Sequence, residues 1–401
     1  MTEAALKPIS LADGLTKLQL VSLDACTRCW ACLDWCPVFD ILHDETISPP
    51  EKIRAYSHLV RTQENPAARL FGRPALDRPR LEKLSLALYT CTTCGRCGEV
   101  CEVGIHTQRL WPTLRAKMVE LACGPIGPQR DVPRIVAEKH NPYDKPHADR
   151  FAWVPDDVHV AERAEVGFFA GCSGAYVAQP MMVGAVRMLQ AAGIPFTLFG
   201  DEYCCGFPLW VLGYREGLAE LVQHNVEGFA ARGVKRLVVS CPCCLDHLER
   251  RWPEFYGRPL PFEILHVTHV IAEAMEAGNL NLTKPLPETV TYHDPCYLAR
   301  ATPVHDPPRR VIAGFPEATF VEMEHNRSLA RCCGAGGGIR RAFTQLSIGM
   351  ARALIREAEA TRATTLLIDC PACYERLHLA MQGFESQLEI KDLMQVAAGL
   401  L

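Results

Sequence analysis

The chain has 401 residues, of which 48% are hydrophobic and 22% are charged, and its formal net charge is −4. At roughly 100–200 residues per domain, this length allows two or three domains with cores of their own. The charge excludes a nucleic-acid-binding protein held by a basic surface. No apolar run approaches the roughly 20 residues of a membrane span, and residues 1–8 lack the basic start of a signal peptide. We therefore expect a cytoplasmic protein with no transmembrane segment of its own, which a partner could hold at the periphery of the inner membrane.

The composition is unusual in one respect, since the chain contains 20 cysteines. Many cysteines in a short secreted chain indicate disulfides, whereas a long chain without a secretion signal more often uses them for metal or redox chemistry. The spacing of the cysteines distinguishes these uses.

The first eight cysteines form two groups with the same spacing, Cys26-x-x-Cys29-x-x-Cys32-x-x-x-Cys36 and Cys91-x-x-Cys94-x-x-Cys97-x-x-x-Cys101. This run is typical of two-cluster ferredoxins, in which three cysteines of one loop bind one cubane [4Fe–4S] cluster and the fourth binds the other. We therefore predict a first ferredoxin set (Cys26, Cys29, Cys32 and Cys101) and a second ferredoxin set (Cys91, Cys94, Cys97 and Cys36). Zinc and disulfides are the alternatives, and structural zinc usually takes cysteines as separated pairs. One departure from the ferredoxin run is Glu102, which follows Cys101 in place of proline.

Residues 37–90, between the two groups, predict helices. Ser48-Pro49-Pro50-Glu51 has the pattern of a helix start, with Ser48 as N-cap and Glu51 at the capping-box position. Residues 53–60 are apolar at helical intervals, and residues 80–88 predict a second helix that leads into Cys91. These inserted helices resemble the helical ferredoxin domain of succinate dehydrogenase-type iron–sulfur subunits. Six prolines between residues 125 and 155 then indicate a linker or an extended strap.

A second cysteine pattern occurs twice in the remaining chain. The first copy contains Cys172, Cys204-Cys205-Gly206 and Cys241-Pro242-Cys243-Cys244, and the second contains Cys296, Cys332-Cys333-Gly334 and Cys370-Pro371-Ala372-Cys373. The nearly constant offset between the copies indicates an internal duplication. Five cysteines in each copy exceed the four ligands of one cubane cluster or one tetrahedral zinc. Adjacent cysteines suit a more open cluster, in which they can bridge irons.

The sequence of each copy predicts alternating strands and helices. A strand is predicted before each cysteine group, over residues 166–170, 196–199 and 236–240 in the first copy and 290–292, 319–323 and 365–368 in the second. Such alternation predicts a mostly parallel sheet in each copy, with its cysteines at the carboxyl-terminal edge. The cysteine loops of the two copies are then able to face each other across a pseudo-twofold axis.

This pattern resembles the CCG domain, the cysteine-rich repeat of the heterodisulfide reductase family, and the domain order resembles the D subunit of that family. Similar layouts occur in the iron–sulfur subunits of glycolate oxidase and anaerobic glycerol-3-phosphate dehydrogenase. The resemblance implies two noncubane [4Fe–4S] clusters. One would be held by the first-repeat set (Cys172, Cys204, Cys205, Cys241 and Cys244) and the other by the second-repeat set (Cys296, Cys332, Cys333, Cys370 and Cys373). Both sets are complete here, whereas electron-relay relatives often lack some of these cysteines.

The predicted architecture is therefore α + α/β, with four segments. A helical ferredoxin-like domain with two cubane clusters occupies residues 1–124, and a proline-rich linker follows over 125–162. Two CCG domains occupy residues 163–284 and 285–401.

Several other motifs have two interpretations. Residues 334–338 are glycine-rich but lack the spacing of a nucleotide-binding loop, so we expect their N–H groups to approach cluster sulfurs instead. His293 either satisfies backbone groups in a turn or supplies a proton to a leaving thiolate. His266 and His269 are expected in the core or partly buried, rather than as ligands. Cys123 and Cys243 remain without an assigned role, and their simplest interpretation is that of small buried side chains.

The resemblance implies an oxidoreductase subunit that passes electrons through two cubane clusters to noncubane clusters, where a disulfide is reduced or thiols are oxidised. The alternative is a relay between a flavin dehydrogenase and a quinone or membrane cytochrome, with no substrate of its own. The chain has no flavin, nicotinamide or haem motif. Its expected partners are therefore a flavoprotein or a membrane cytochrome b subunit, and the expected setting is anaerobic. The sequence does not identify the catalytic residues, the disulfide or the direction of electron flow.

A metal analysis distinguishes these interpretations from a zinc scaffold. Four [4Fe–4S] clusters require about 16 irons and as many sulfides per chain. We expect anaerobically purified protein to contain iron and acid-labile sulfide in that amount. Zinc in place of iron would contradict the assignment.

Overall fold

The computed structural model describes residues 10–401, apart from the side chain of Arg69. Residues 1–8, which entered the signal-peptide prediction, lie outside the described residues. No helix within residues 10–401 combines the length and apolarity that crossing a membrane requires.

The described part of the amino-terminal region is helical. Its helices are α1 (Lys17–Ala25), α2 (Phe39–Leu42), α3 (Pro49–Glu64), α4 (Pro66–Phe71), α5 (Arg78–Tyr89), α6 (Arg96–Glu99) and α7 (Thr107–Glu120), with a 3₁₀ turn over Glu45–Ile47. Both predicted helices are confirmed as α3 and α5. The predicted capping box is wrong, because the Glu51 carboxylate accepts a 2.8 Å hydrogen bond from Arg54 Nε and the Ser48 side chain makes no cap hydrogen bond.

The proline-rich segment is partly helical. It contains α8 (Val132–Lys139) and two 3₁₀ helices, Gly127–Asp131 and His147–Phe151. Residues 141–143 lie in bends and turns. Val136 and Arg150 of this segment are each 1% exposed, so it packs closely against the rest of the chain. The domain boundaries themselves stay predictions.

The first repeat is an α/β unit with a four-stranded parallel sheet. Its elements are β1 (Val166–Phe169), α9 (Gly171–Tyr176), α10 (Gln179–Ala191), β2 (Phe196–Thr197), α11 (Phe207–Leu212), α12 (Leu218–Ala231), β3 (Arg236–Val239), α13 (Pro242–Arg250), α14 (Trp252–Tyr256), β4 (Glu263–His266) and α15 (Val267–Glu276). The strand order is β2-β1-β3-β4. Val166 pairs with Arg236 across the central strands, and all strand pairs run parallel.

The second repeat has the same plan. Its elements are β5 (Thr289–Tyr292), a π-helical turn (Tyr297–Ala301), α16 (Asp306–Ala313), β6 (Thr319–Phe320), a 3₁₀ turn (Arg327–Leu329), α17 (Ile339–Ala342), α18 (Thr344–Ala360), β7 (Thr365–Ile368), α19 (Pro371–Met381), β8 (Glu389–Asp392) and α20 (Leu393–Gly399). The strand order β6-β5-β7-β8 repeats that of the first sheet. The predicted fold class, a helical region followed by two parallel α/β repeats, is confirmed.

The predicted strands differ from the observed ones in two ways. Each sheet has a fourth, edge strand (β4 and β8) that the sequence analysis missed. Both are short and carry charged residues, so neither shows the apolar run of a central strand. The strands β2 and β6 are only two residues long, because the chain leaves the sheet early on its way to the paired cysteines.

The two repeats share one hydrophobic core. Met182 and Leu189 of α10 belong to the same buried cluster as Leu393 and Met394 of the second repeat. Gly184 allows α10 to approach α20, since a Cβ atom there would lie 2.6 Å from the backbone nitrogen of Gln395. This shared core fixes the two sheets relative to each other and therefore fixes the distance between their cysteine loops.

Arg115 joins the helical region to both repeats. Its side chain is fully buried in α7 and donates hydrogen bonds to the carbonyl oxygens of Leu88, Cys91, Val211 and Gly337, at 2.8–3.1 Å. One guanidinium group therefore satisfies backbone acceptors from three parts of the chain. It also fixes the backbone at Cys91, the first cysteine of its group.

We expect Arg115→Met to lower the free energy of unfolding by about 3 kcal/mol or more, because several buried carbonyl groups lose their donor. Arg61→Met is the matched control, since Arg61 pairs with Asp24 at the surface, where both side chains are more than half exposed. The Arg61→Met substitution should lower the free energy of unfolding by about 1 kcal/mol or less. Anaerobic denaturation of the two variants measures both values, and equal destabilisation would contradict the proposed role of Arg115.

Candidate iron–sulfur sites and the cavity between the repeats

The structure brings the thiols of the first ferredoxin set together near the surface. Cys26 interacts electrostatically with Cys29 and Cys101, so the cysteine of the remote group is close to the first loop. Burial raises the pKa of Cys32 to about 12, and the Cys26 and Cys101 thiols contribute to this rise. Cys29 is exposed. Metal binding to such thiols must displace protons that burial holds in place.

The second ferredoxin set lies deeper. Burial raises the pKa of Cys36, and its electrostatic neighbours include Cys91 and Cys94 of the other group. The Cys97 Sγ atom lies 3.1 Å from Thr107 Oγ1 at the start of α7. Each remote fourth cysteine therefore lies beside the loop to which the sequence analysis assigned it.

The first-repeat set lies at the carboxyl-terminal edge of its sheet. The Sγ atoms of Cys205 and Cys244 are 3.4 Å apart, although they come from different loops. Arg150 Nη2 donates to Cys172 Sγ at 3.4 Å, and Arg150 Nη1 donates to Glu202 Oε1 at 2.9 Å. Burial raises the pKa of Glu202 to about 7, while Arg150 opposes that rise. This side of the site therefore carries a cation with its own acidic partner.

The second-repeat set has the same arrangement with different neighbours. The Sγ atoms of Cys333 and Cys373 are 3.0 Å apart, and His293 Nε2 lies 3.7 Å from Cys373 Sγ. These three side chains are buried and could hold a metal ion. The position three residues before Cys296 is His293, whereas the position three residues before Cys172 is Phe169. The histidine is therefore a difference between the two repeats.

Glycine N–H groups approach sulfur at the same position in both repeats. The backbone nitrogen of Gly206 lies 3.5 Å from Cys204 Sγ, and that of Gly334 lies 3.4 Å from Cys332 Sγ. Each glycine has a positive φ, which few other residues adopt without strain. The Gly334 N–H group therefore approaches the Cys332 thiol, and the approach of glycine N–H groups to cluster sulfurs stays a prediction.

The remaining glycines of this loop serve a second purpose. A Cβ atom at Gly336 would lie 2.6 Å from the carbonyl oxygen of Thr92, and one at Gly337 would clash with that of Cys91. The absence of side chains lets the second repeat lie directly against the second ferredoxin loop. This close packing supports the structural interpretation of the glycine run over nucleotide binding.

Neighbouring thiols link the four cysteine sets in sequence. Cys32 of the first ferredoxin set has Cys36 of the second as an electrostatic neighbour. A hydrogen bond with Cys332 of the second repeat raises the pKa of Cys94. Cys370 of the second repeat in turn has Cys241 of the first repeat as a neighbour. The second-repeat set therefore lies between the ferredoxin sets and the first-repeat set.

A cavity of about 300 Å³ lies between the cysteine loops of the two repeats. All five cysteines of the first-repeat set line it on one side, and residues 335–338, Arg340, Ala372 and Arg376 line it on the other. Cys243 also lines this cavity, whereas Cys123 is 5% exposed and its thiol lies 3.5 Å from the Leu121 carbonyl oxygen, outside the cavity. The cysteine loops of the two repeats thus face each other, as the sequence analysis allowed.

The polar side chains around these sets were not predicted from the sequence. His247 and Arg376 are the third residues after the last cysteines of the two repeats, and both are nearly fully buried. Among the described residues, neither ring nitrogen of His247 and neither Nε nor Nη1 of Arg376 has a hydrogen-bond partner. Buried donors without partners fit a group that offers acceptors there, such as the sulfides of a cluster. Their common offset in the two repeats is the signal that could have identified them.

The other predicted histidines lie where the sequence analysis placed them. His266 is fully buried and its Nδ1 lies 2.8 Å from Thr268 Oγ1, while His269 is half-buried. Burial lowers the pKa of His266 to about 3, which keeps its ring neutral.

Comparisons with known families agree with this division of the chain. A 4Fe-4S dicluster domain matches residues 22–105, and the Cysteine-rich domain (CCG) matches residues 166–249 and 290–378. The chain is 35% identical over 393 residues to the D subunit of the dihydromethanophenazine:CoB–CoM heterodisulfide reductase of Methanosarcina barkeri, covering 97% of this chain and 96% of that protein.

Two further comparisons are more distant. The chain is 27% identical to the EtfAB:quinone oxidoreductase of Syntrophomonas wolfei, covering 93% of this chain and 57% of that protein. The structure of a hypothetical protein from Helicobacter pylori matches with a TM-score of 0.56 at 10% identity, covering 90% of this chain and 71% of that one. The latter likeness concerns the fold alone.

The ligand assignment of the second ferredoxin set is testable with a matched pair of cysteines. We expect Cys36→Ser to lose about four irons per chain, because the cluster predicted for this set would lose its fourth thiolate. Cys123→Ser should keep the full iron content, since Cys123 lies outside every predicted set. Iron analysis and the EPR spectrum of the reduced protein measure both, and equal iron in the two variants would contradict the assignment.

Proposed function

Because the chain belongs to the family of heterodisulfide reductase D subunits, we propose that it is the iron–sulfur subunit that carries the disulfide or thiol chemistry of a redox complex. The observation that carries this proposal is the pair of complete five-cysteine sets, held by repeats that face one cavity. A relay without a substrate needs neither the cavity nor two complete sets.

We assign two cubane clusters to the ferredoxin sets and two noncubane clusters to the repeat sets. When bound, these clusters supply one-electron transfer and, at the repeats, iron sites that can take a sulfur atom. The order of the four sets supports a single path from the exposed Cys29 to the cavity. Two one-electron centres suit the cleavage of a sulfur–sulfur bond, because that reaction consumes two electrons.

The protein surrounds the cavity with groups that suit this reaction. The cysteines of the first-repeat set are buried, which excludes bulk water from their sulfur atoms. Arg340 forms an ion pair with Glu375 and donates to Tyr143 Oη at 2.6 Å, which fixes one wall of the cavity. A disulfide that enters this space meets sulfur ligands of the first repeat opposite the helix α19 of the second.

A relay between a flavin dehydrogenase and a quinone or membrane cytochrome is the second candidate function. The similarity to the EtfAB:quinone oxidoreductase favours it. Either function requires a redox partner, and we propose a flavoprotein or a membrane cytochrome b subunit. The exposed Cys29 indicates that this partner docks at the first ferredoxin set.

The two candidates differ in how the protein responds to thiols. We expect a biological thiol or its disulfide to change the EPR spectrum of the oxidised holoprotein, because a substrate sulfur would bind iron next to the cavity. A Cys205→Ser variant, altered in the first-repeat set that lines the cavity, is the control and should lose this response. A wild-type spectrum that stays unchanged with every biological thiol tested would support the relay.

A further inference from the structure

His247 and Arg376 occupy matched positions in the two repeats. Each is three residues beyond the last cysteine of its set, one helical turn further along α13 or α19. Their exposed fractions are 0% and 3%. A position that carries a buried nitrogen donor in both copies of a duplicated fold serves something that both copies share, and the copies share the cysteine sets.

Both side chains lie beside those sets. A Cβ atom at Gly206, which follows Cys205, would lie 3.2 Å from His247 Nε2. Arg376 interacts electrostatically with Cys333 and lines the cavity. With no partner among the described residues, the free N–H groups of Arg376 are available to a cluster held by Cys333.

The two repeats differ in the net charge that they present to their sets. The cation of the first repeat, Arg150, contacts Cys172 but is also paired with Glu202 at 2.9 Å. Arg376 forms no ion pair among the described residues. The neighbouring Arg340 is paired with Glu375, which leaves no carboxylate for Arg376.

The charges on the other side of the second-repeat set do not cancel Arg376. Asp294 is paired with Arg309 at 2.8 Å. Asp369 precedes Cys370, and its charged neighbours are Asp294, Asp392 and Arg309 rather than Arg376. An uncompensated guanidinium therefore faces the second-repeat set.

We propose that Arg376 is a positioning residue that donates N–H bonds to the second-repeat cluster and makes it the more easily reduced of the two repeat clusters. This inference rests on the proposed function, because it requires a cluster in each repeat. Reduction adds one electron and thus one negative charge, which a fixed cation stabilises strongly in a buried site. No bond forms or breaks in this step. The electron comes from the adjacent cubane, whose ligand Cys94 contacts Cys332 of the second repeat.

The test is a redox titration of the anaerobic holoprotein, followed by EPR and Mössbauer spectroscopy. We expect Arg376→Gln to lower the midpoint potential of one repeat cluster, so that its ratio of reduced to oxidised form falls about tenfold at a fixed potential, or about 59 mV. The other repeat cluster should keep its ratio of reduced to oxidised form within about twofold of the wild-type value at the same potential. His247→Gln, at the matched position of the first repeat, should leave the second-repeat cluster unchanged.

Arg376→Lys provides the second variant, since it keeps the charge in a buried site. The midpoint potential of its second-repeat cluster should stay close to the wild-type value. If Arg376→Gln fails to take up its full iron, Arg376→Lys is the variant that tests the proposal. Equal midpoint potentials in wild type and Arg376→Gln would overturn the inference. A midpoint potential in Arg376→Lys that is lowered as far as in Arg376→Gln would also overturn it. An unchanged potential with weaker substrate binding would assign Arg376 to the substrate and also overturn it. Absence of repeat-cluster signals in the wild type would instead refute the proposed function.

Discussion

The burial of many thiols in small volumes is the constraint on which the rest of this structure depends. Burial and neighbouring cysteines raise the pKa of thiols such as Cys97 and Cys373 well above the usual range. Such groups become good ligands only when a metal displaces their protons, so cluster binding and folding are coupled. The polar groups around the sets, from glycine N–H groups to Arg376, compensate for the negative charge that cluster binding brings into the interior.

The same constraint explains how the domains are joined. The helical region must bring its second ferredoxin loop against the second repeat, because electron transfer needs neighbouring centres. Glycines at 336 and 337 remove the side chains that would prevent this approach. Arg115 then connects the carbonyl groups of the parts that meet there. The shared core around α10 and α20 fixes the remaining distance between the repeats.

Much of this arrangement was predictable from the sequence, for physical reasons that differ between elements. Cysteine spacing reflects local loop geometry, so it predicted the cysteine groups and the duplication. The alternation of strands and helices predicted the two parallel sheets. The edge strands β4 and β8 did not, because charged edge strands lack the apolar run that indicates a buried strand. The roles of Arg115 and Arg150 were also missed, because each contacts residues far away in the chain. The prediction of a capping box at Ser48 was wrong because the Glu51 carboxylate accepts a hydrogen bond from Arg54 instead.

The central claim is that this chain holds two kinds of [4Fe–4S] cluster in equal number. Mössbauer spectroscopy of the anaerobic, ⁵⁷Fe-enriched holoprotein tests it most directly, because it resolves iron environments and their relative amounts. We expect cubane and noncubane components of about equal area. A spectrum with cubane iron alone would contradict it.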